Sequence, residues 1–192
     1  MAVRDQESGS LQRTPVGTRA KTRRAPEEKG NLRWLWLSAL VVALDQISKQ
    51  MVDAFMRLHE TIPLLPMFQL TYLRNQGAAF SFLSDAGGWQ RWFFIGLAVT
   101  ASLLIAYWLR HLDRRKNWEA AAWALVLGGA VGNLIDRVLY GSVIDFLDVF
   151  YGNWHWPAFN LADSAITVGI AMLLLDALRP HRSISSNFTS GV

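Results

Sequence analysis

The chain has 192 residues, 52% of them hydrophobic, with 9 Trp, 10 Phe and no Cys. This composition excludes a disordered chain, and the missing cysteines exclude a disulfide scaffold, a thiolate metal site and a cysteine nucleophile. Lys and Arg total 19 against 15 Asp and Glu, giving a net charge of +4, yet charged residues make up only 18% of the chain, below the roughly 25% of an average soluble domain.

Residues 1–33 are polar and hold eight basic residues: Arg4, Arg13, Arg19, Lys21, Arg23, Arg24, Lys29 and Arg33. No apolar run exists there to form a core, so the segment predicts a flexible basic arm. Such an arm also suits a nucleic-acid tail, but the cytosolic flank of a membrane helix fits the rest of the chain better, and no nucleic-acid partner is expected.

Four apolar stretches follow. The first, Trp34 to about Met56, contains Asp45, Lys49 and Asp53. The second, Trp92 to Leu109, carries no charge. At about 1.5 Å per residue it spans roughly 27 Å, close to a hydrocarbon core. The third, Trp118 to Ile135, carries only Glu119, and the fourth, about Leu161 to Leu178, has Asp163 near its start and Asp176 near its end. A soluble core helix would show one polar face, and the second stretch shows none. The expected fold is an all-α membrane protein with four transmembrane helices over residues 34–178, followed by a cytoplasmic tail at 179–192.

Two segments between these stretches have their own character. Residues 67–74 (MFQLTYLR) and 78–83 (AAFSFL) flank a turn signal at Asn75, Gln76 and Gly77. They predict a small β-structure within about 57–88. Residues 139–160 carry Pro157 and the aromatics Phe146, Phe150, Tyr151, Trp154, Trp156 and Phe159, which predict an interfacial segment lying on the membrane.

Basic residues set the orientation. With the N-terminus inside, segments 1–33, 110–117 and 179–192 hold 8, 4 and 2 Lys/Arg, whereas the outer segments hold only Arg57, Arg74, Arg91 and Arg137. Trp34, Trp36, Trp108 and Trp118 then flank the inner ends, and Trp89, Trp92, Trp154 and Trp156 the outer ends, as two aromatic belts would. The first stretch lacks a cleavage site of small residues and is expected to remain as an anchor.

The chain has no HExxH, GxSxG, Walker or GxGxxG pattern, and His59, His111, His155 and His181 show no ligand spacing. No metal or cofactor is implied. What remains is a set of acids and amides towards the outer face: Asp45, Asp53, Asn75, Asn133, Asp136, Asp145, Asp148, Asn160 and Asp163. Ionisable groups in a span are costly and tend to be functional. Asp163 sits in the first turn of the fourth helix, where Asn160 and Asp163 resemble a capping box and the helix dipole favours a carboxylate. Asp145 lies in SVIDFLD among apolar neighbours, which raise a carboxyl pKa. Asp148, three residues on, has the stronger claim to the wet side of that segment. Two acids held close share a proton, so one can activate water while the other polarises a carbonyl.

Asp45, Lys49 and Asp53 share one face of the first helix, as buried ion pairing requires. Asp136 and Arg137 end the third stretch, either as a terminal ion pair or with the Arg orienting a substrate backbone. Gly128, Gly129 and Gly132 permit close helix packing.

Five blocks, LDQISK at 44–49, LRNQGAAFS at 73–81, GGAVGNLIDR at 128–137, VIDF at 143–146 and PAFNLADSAI at 157–166, resemble in order and spacing those of the lipoprotein signal peptidases (signal peptidase II). The resemblance covers about residues 34–178. It implies a bacterial inner-membrane aspartic endopeptidase, with both termini cytoplasmic and its site at the periplasmic face. Such an enzyme removes signal peptides from diacylglyceryl-modified prolipoproteins just before the lipidated cysteine, meets membrane lipids, and is inhibited by the cyclic peptide globomycin. It further implies that Asp145 and Asp163 are the catalytic pair, that Asn75, Gly129, Asn133, Arg137 and Asn160 bind substrate, and that Asp45, Lys49 and Asp136 are supporting polar positions. The polar residues by themselves also suit a small proton-coupled transporter or a non-enzymatic scaffold. Against the transporter, no internal repeat is visible and the polar cluster lies towards one face.

Overall fold

The computed structural model describes residues 30–77 and 88–179. Most of the basic arm, the expected strand at 78–83 and residues 180–192 of the tail lie outside the described residues. Four helices carry the fold: α1 (Leu35–Phe55), α2 (Trp89–His111), α3 (Asn117–Tyr140) and α4 (Leu161–Ala177). Four strands, β1 (Thr61–Leu65), β2 (Phe68–Asn75), β3 (Val143–Tyr151) and β4 (Trp154–His155), pair antiparallel in the order β1-β2-β3-β4. The protein is mostly helical with one small sheet. Helices α2 and α3 are each long and apolar enough to cross a membrane.

Helix α3 is the hub, packing against α4, α1 and α2. Its glycines make this possible. A Cβ on Gly128 would meet Val41 and the Ser38 carbonyl of α1, and one on Gly132 would lie 2.6 Å from Asp45 Oδ2. One on Gly129 would run into the Ala162 backbone of α4. Such small-residue faces let helix backbones approach closely. Between α2 and α3, Ile105, Leu109, Ala120 and Leu127 form a core cluster, against which Trp34 and Trp123 pack.

The helix pattern is inside out. Leu40, Leu44, Ile47 and Met51 of α1 are exposed, while Asp45 and Lys49 of the same helix are buried. Lys49 Nζ lies 2.8 Å from Asp45 Oδ2 and 3.0 Å from Asp136 Oδ2, and it donates to Asn133 Oδ1 at 2.9 Å. Gln46 Nε2 adds a bond to Asp136 Oδ1 at 2.8 Å, and the Ala162 N–H reaches Asp45 Oδ1 at 3.0 Å. One lysine thus fastens α1 to α3, and its carboxylate partner fastens α1 to α4.

Two expectations need correction. Within residues 139–160, Val143–Tyr151 form a strand that the sequence did not suggest: β3 pairs along β2, matching Leu73 with Asp145 and Asn75 with Val143. The run Val143–Tyr151 is rich in β-branched and aromatic residues, which suit a pleated, half-buried surface. Its Ile144 and Phe146 join Val52, Met56 and Tyr72 in a core that binds the sheet to the end of α1, while Tyr151, Trp154 and Trp156 stay exposed. The neighbours of β2 are β1, upstream of it, and β3. Helix α3 runs through Asp136 and Arg137 to Tyr140 and stops at Gly141, whose φ of 78° suits glycine. The sequence suggested an earlier end because the apolar run stops at the charges, but Lys49 and Gln46 satisfy Asp136.

Removing a single member of a buried ion cluster leaves charge uncompensated, at a cost of about 3–5 kcal/mol. Lys49→Met should therefore sharply lower the melting temperature in detergent, followed by tryptophan fluorescence. Adding Asp45→Asn and Asp136→Asn should restore much of the loss.

Candidate active site

Three elements converge where α4 begins. Asn160, wholly buried, caps α4. Its Oδ1 accepts the Asp163 N–H at 3.0 Å, and its own N–H donates to Asp163 Oδ2 at 3.2 Å. The Asn160 Nδ2 group lies 2.8 Å from Asp145 Oδ1, 3.2 Å from Asn133 Oδ1 and 3.2 Å from the Ile144 carbonyl. One side chain thus links Asp145 on β3 with Asp163 on α4. The capping reading of Asp163 is correct, and it leaves the other carboxylate oxygen to accept from Asn133 Nδ2 at 2.8 Å.

Asp145 is 4% exposed. Its Oδ2 accepts from Asn75 Nδ2 at 2.9 Å. Asn75 also accepts the Gly77 N–H at 2.8 Å through its Oδ1, so the turn seen in the sequence orients the amide towards the acid. Burial pushes the Asp145 carboxyl up to about 7. Donation by Asn75 and Asn160 and the charge of Lys49 oppose the rise, and the neighbouring Asp163 charge adds to it. The influence of Asp163 marks the two acids as electrostatic neighbours.

The remaining residues divide between this centre and other places. Asn133 joins the Lys49 cluster to Asp163, because its Oδ1 receives Lys49 and its Nδ2 reaches the acid. Arg137 makes no ion pair with Asp136. Its guanidinium stands 5.0 Å from the Phe94 ring and within reach of the charges of Asp163 and Asp145. Its buried Nε has no hydrogen-bond partner among the described residues. Gly129 lies in the α3–α4 contact, as a packing residue does.

Asp53 does not join Asp45 and Lys49. At the exposed end of α1 it accepts from the Tyr72 hydroxyl and pairs with Arg74 at 2.8 Å. Asp148 is not on a wet face. It is 6% exposed and bonds Gln69 Nε2 at 2.7 Å, the Thr71 hydroxyl at 3.3 Å and His155 Nδ1 at 3.0 Å. Pairing with β2 covers it, and the sequence held no sign of that pairing. Arg74 was likewise missed as a site residue, although the second block contains it. It lines a cleft of about 360 Å³ beside Asp145.

A buried acid beside a second carboxylate, both held by amides, is suited to general acid–base chemistry on a carbonyl. Comparisons with known proteins point the same way. The family model described as signal peptidase (SPase) II matches residues 37–179. A lipoprotein signal peptidase of Alteromonas mediterranea is 53% identical over 148 residues, covering 77% of this chain and 81% of the relative. Its counterpart in Vibrio cholerae is 48% identical over 161 residues, covering 83% and 94%. Among solved structures, one described as a bacterial membrane enzyme superposes with a TM-score of 0.70 at 27% identity, covering 88% of this chain and 99% of that one. These relatives give no support to the transporter alternative. The chain belongs to the signal peptidase II family of aspartic endopeptidases.

Proposed function

We propose that Asp145 and Asp163 hydrolyse the peptide bond that precedes a diacylglyceryl-modified cysteine in prolipoproteins, releasing the signal peptide. The observation that carries this reading is the bridge through Asn160, whose amide donates to Asp145 while its backbone and Oδ1 hold Asp163.

Burial favours the protonated form of Asp145. Asp163, with Asn133 and the Asn160 N–H donating to its two oxygens, takes the ionised role. Asp163 accepts a proton from water as the water oxygen attacks the scissile carbonyl carbon. Asp145 gives its proton to the carbonyl oxygen, so the tetrahedral intermediate is neutral. Collapse breaks the C–N bond, and the proton held on Asp163 passes to the departing cysteine nitrogen. Asp145 recovers its own proton as the new carboxyl group forms. Arg137 and Asn133 stand where they can hold the substrate backbone, and Asn75 aims Asp145. Gly129 contributes by letting α4 close onto α3.

All four helices are read as spans, because each turns apolar residues outward; Leu174 and Leu175 of α4 and Leu97 and Leu103 of α2 are exposed, like the outer face of α1. The lipid bilayer is the partner that covers such a surface. The distribution of basic residues supports a topology with both termini in the cytoplasm and the sheet with the acid pair at the periplasmic face of the inner membrane. A substrate that is itself a lipid-bearing membrane helix reaches such a site from within the bilayer, and a globomycin-type cyclic peptide should compete for it.

In detergent, with a synthetic diacylglyceryl prolipoprotein, Asp145→Asn and Asp163→Asn should each lower kcat by about 10³-fold or more while leaving the fold intact. Equal processing by the wild type and both variants would reject the mechanism.

The pH dependence has a defined sign. Activity needs Asp145 protonated, so on the alkaline side it should fall as pH rises through about 7. Because the carboxyl is raised above its ordinary 3.8, the folded state binds more protons than the unfolded state between these values. Its contribution to stability is therefore lost over the same rise. Asn75→Ala removes a donor that favours the charged form, so the alkaline limb of residual activity should move to higher pH. A limb that moves lower would contradict the assigned roles.

A further inference from the structure

The cleft beside Asp145 opens on the sheet side of the acid pair. His59, Arg74, Asn75, Gln76 and Pro157 line it together with Asp145. Asp163 is not among its walls; that acid faces Asn133 on α3. The site therefore has two sides, one towards the helix bundle and one towards the sheet. On the reading above, a substrate arrives as a membrane helix whose chain leaves the bilayer at the cut. The part before the cut lies along the bundle, and the part after it must run outward past Asp145. We propose that this cleft receives the residue following the lipidated cysteine, and that Arg74 selects an acidic side chain over a basic one there.

The local chemistry supports this choice. Arg74 is the one permanently charged cation lining the cleft, and Asp145 the one acid, among the described residues. Asp145 must be protonated for catalysis, which removes the lining negative charge in the competent enzyme. Arg74 is held in place rather than free to swing. Its Nε donates to the Tyr72 hydroxyl at 3.0 Å, one terminal nitrogen pairs with Asp53 at 2.8 Å, and the guanidinium lies 5.8 Å from the Tyr72 ring and 5.9 Å from the Tyr140 ring. The other terminal nitrogen has no hydrogen-bond partner among the described residues. Asp53 is outside the cleft lining, so it tempers the charge of Arg74 without competing for space. The inference rests on the peptidase reading and adds a specificity residue to it.

The test uses the full chain in detergent and three synthetic diacylglyceryl peptides that differ only after the cysteine, carrying Asp, Ser or Lys. The wild type should favour Asp over Lys in kcat/KM by about threefold, the scale of a partly exposed charge interaction, and added salt should shrink the ratio. Arg74→Gln should bring it towards one. Asp53→Asn, which releases the guanidinium from its partner, should raise it. Loss of packing alone would move the two variants in the same direction, so opposite shifts identify the charge. A ratio unchanged in both variants, or shifted alike in both, would overturn the proposal. Cleavage of none of the three peptides by the wild type would overturn the peptidase reading itself.

Discussion

The fold closes on one buried amide. Asn160 sits where three elements meet: it starts α4, holds β3 through the Ile144 carbonyl and Asp145, and touches α3 through Asn133. A side-chain amide suits this junction because it donates and accepts at once. A carboxylate there would repel both acids, and an apolar residue would leave the buried Ile144 carbonyl and the α4 amide with fewer partners, at a cost of about 1–3 kcal/mol for each unsatisfied group. The same contacts that cap a helix thus bring two acids from separate parts of the chain into one electrostatic unit.

Behind that junction lies the Lys49 cluster. Its two carboxylates and lysine are sealed from solvent, and Asn133 passes its influence forward to Asp163. Charge is concentrated inside and apolar surface outside, the reverse of a soluble domain. This arrangement suits a chain whose helices face lipid, where a satisfied polar interior holds helices that gain little from burying further apolar area against one another. The sheet then covers the C-terminal end of α1, and its Asn75 adjusts the proton affinity of Asp145.

Much of this was legible in the sequence because it is local. The four helices show as apolar runs, and the cap of α4 shows in Asn160 and Asp163 three residues apart. The Asp45–Lys49 pair shows as one helical turn. The sheet was harder. In β3 the buried residues Val143, Ile144, Asp145 and Phe146 run consecutively instead of alternating, because α1, α3 and β2 enclose the strand on several sides, so no period of two was visible. Asp53 has helical spacing to Lys49 but lies past the buried part of α1, where Tyr72 and Arg74 claim it. Asp148 looked exposed because its cover, Gln69 and Thr71, comes from a strand more than seventy residues earlier. Long-range pairing leaves no mark on a short window of sequence.

The proposed mechanism requires Asp145 to hold a proton near neutral pH. Infrared difference spectroscopy of the carboxyl stretch reads that proton directly. The wild type at pH 6 should show a protonated-carboxyl band that fades as pH rises past about 7 and is absent in Asp145→Asn. A band that persists unchanged in Asp145→Asn but vanishes in Asp163→Asn would place the proton on the wrong acid and contradict the mechanism.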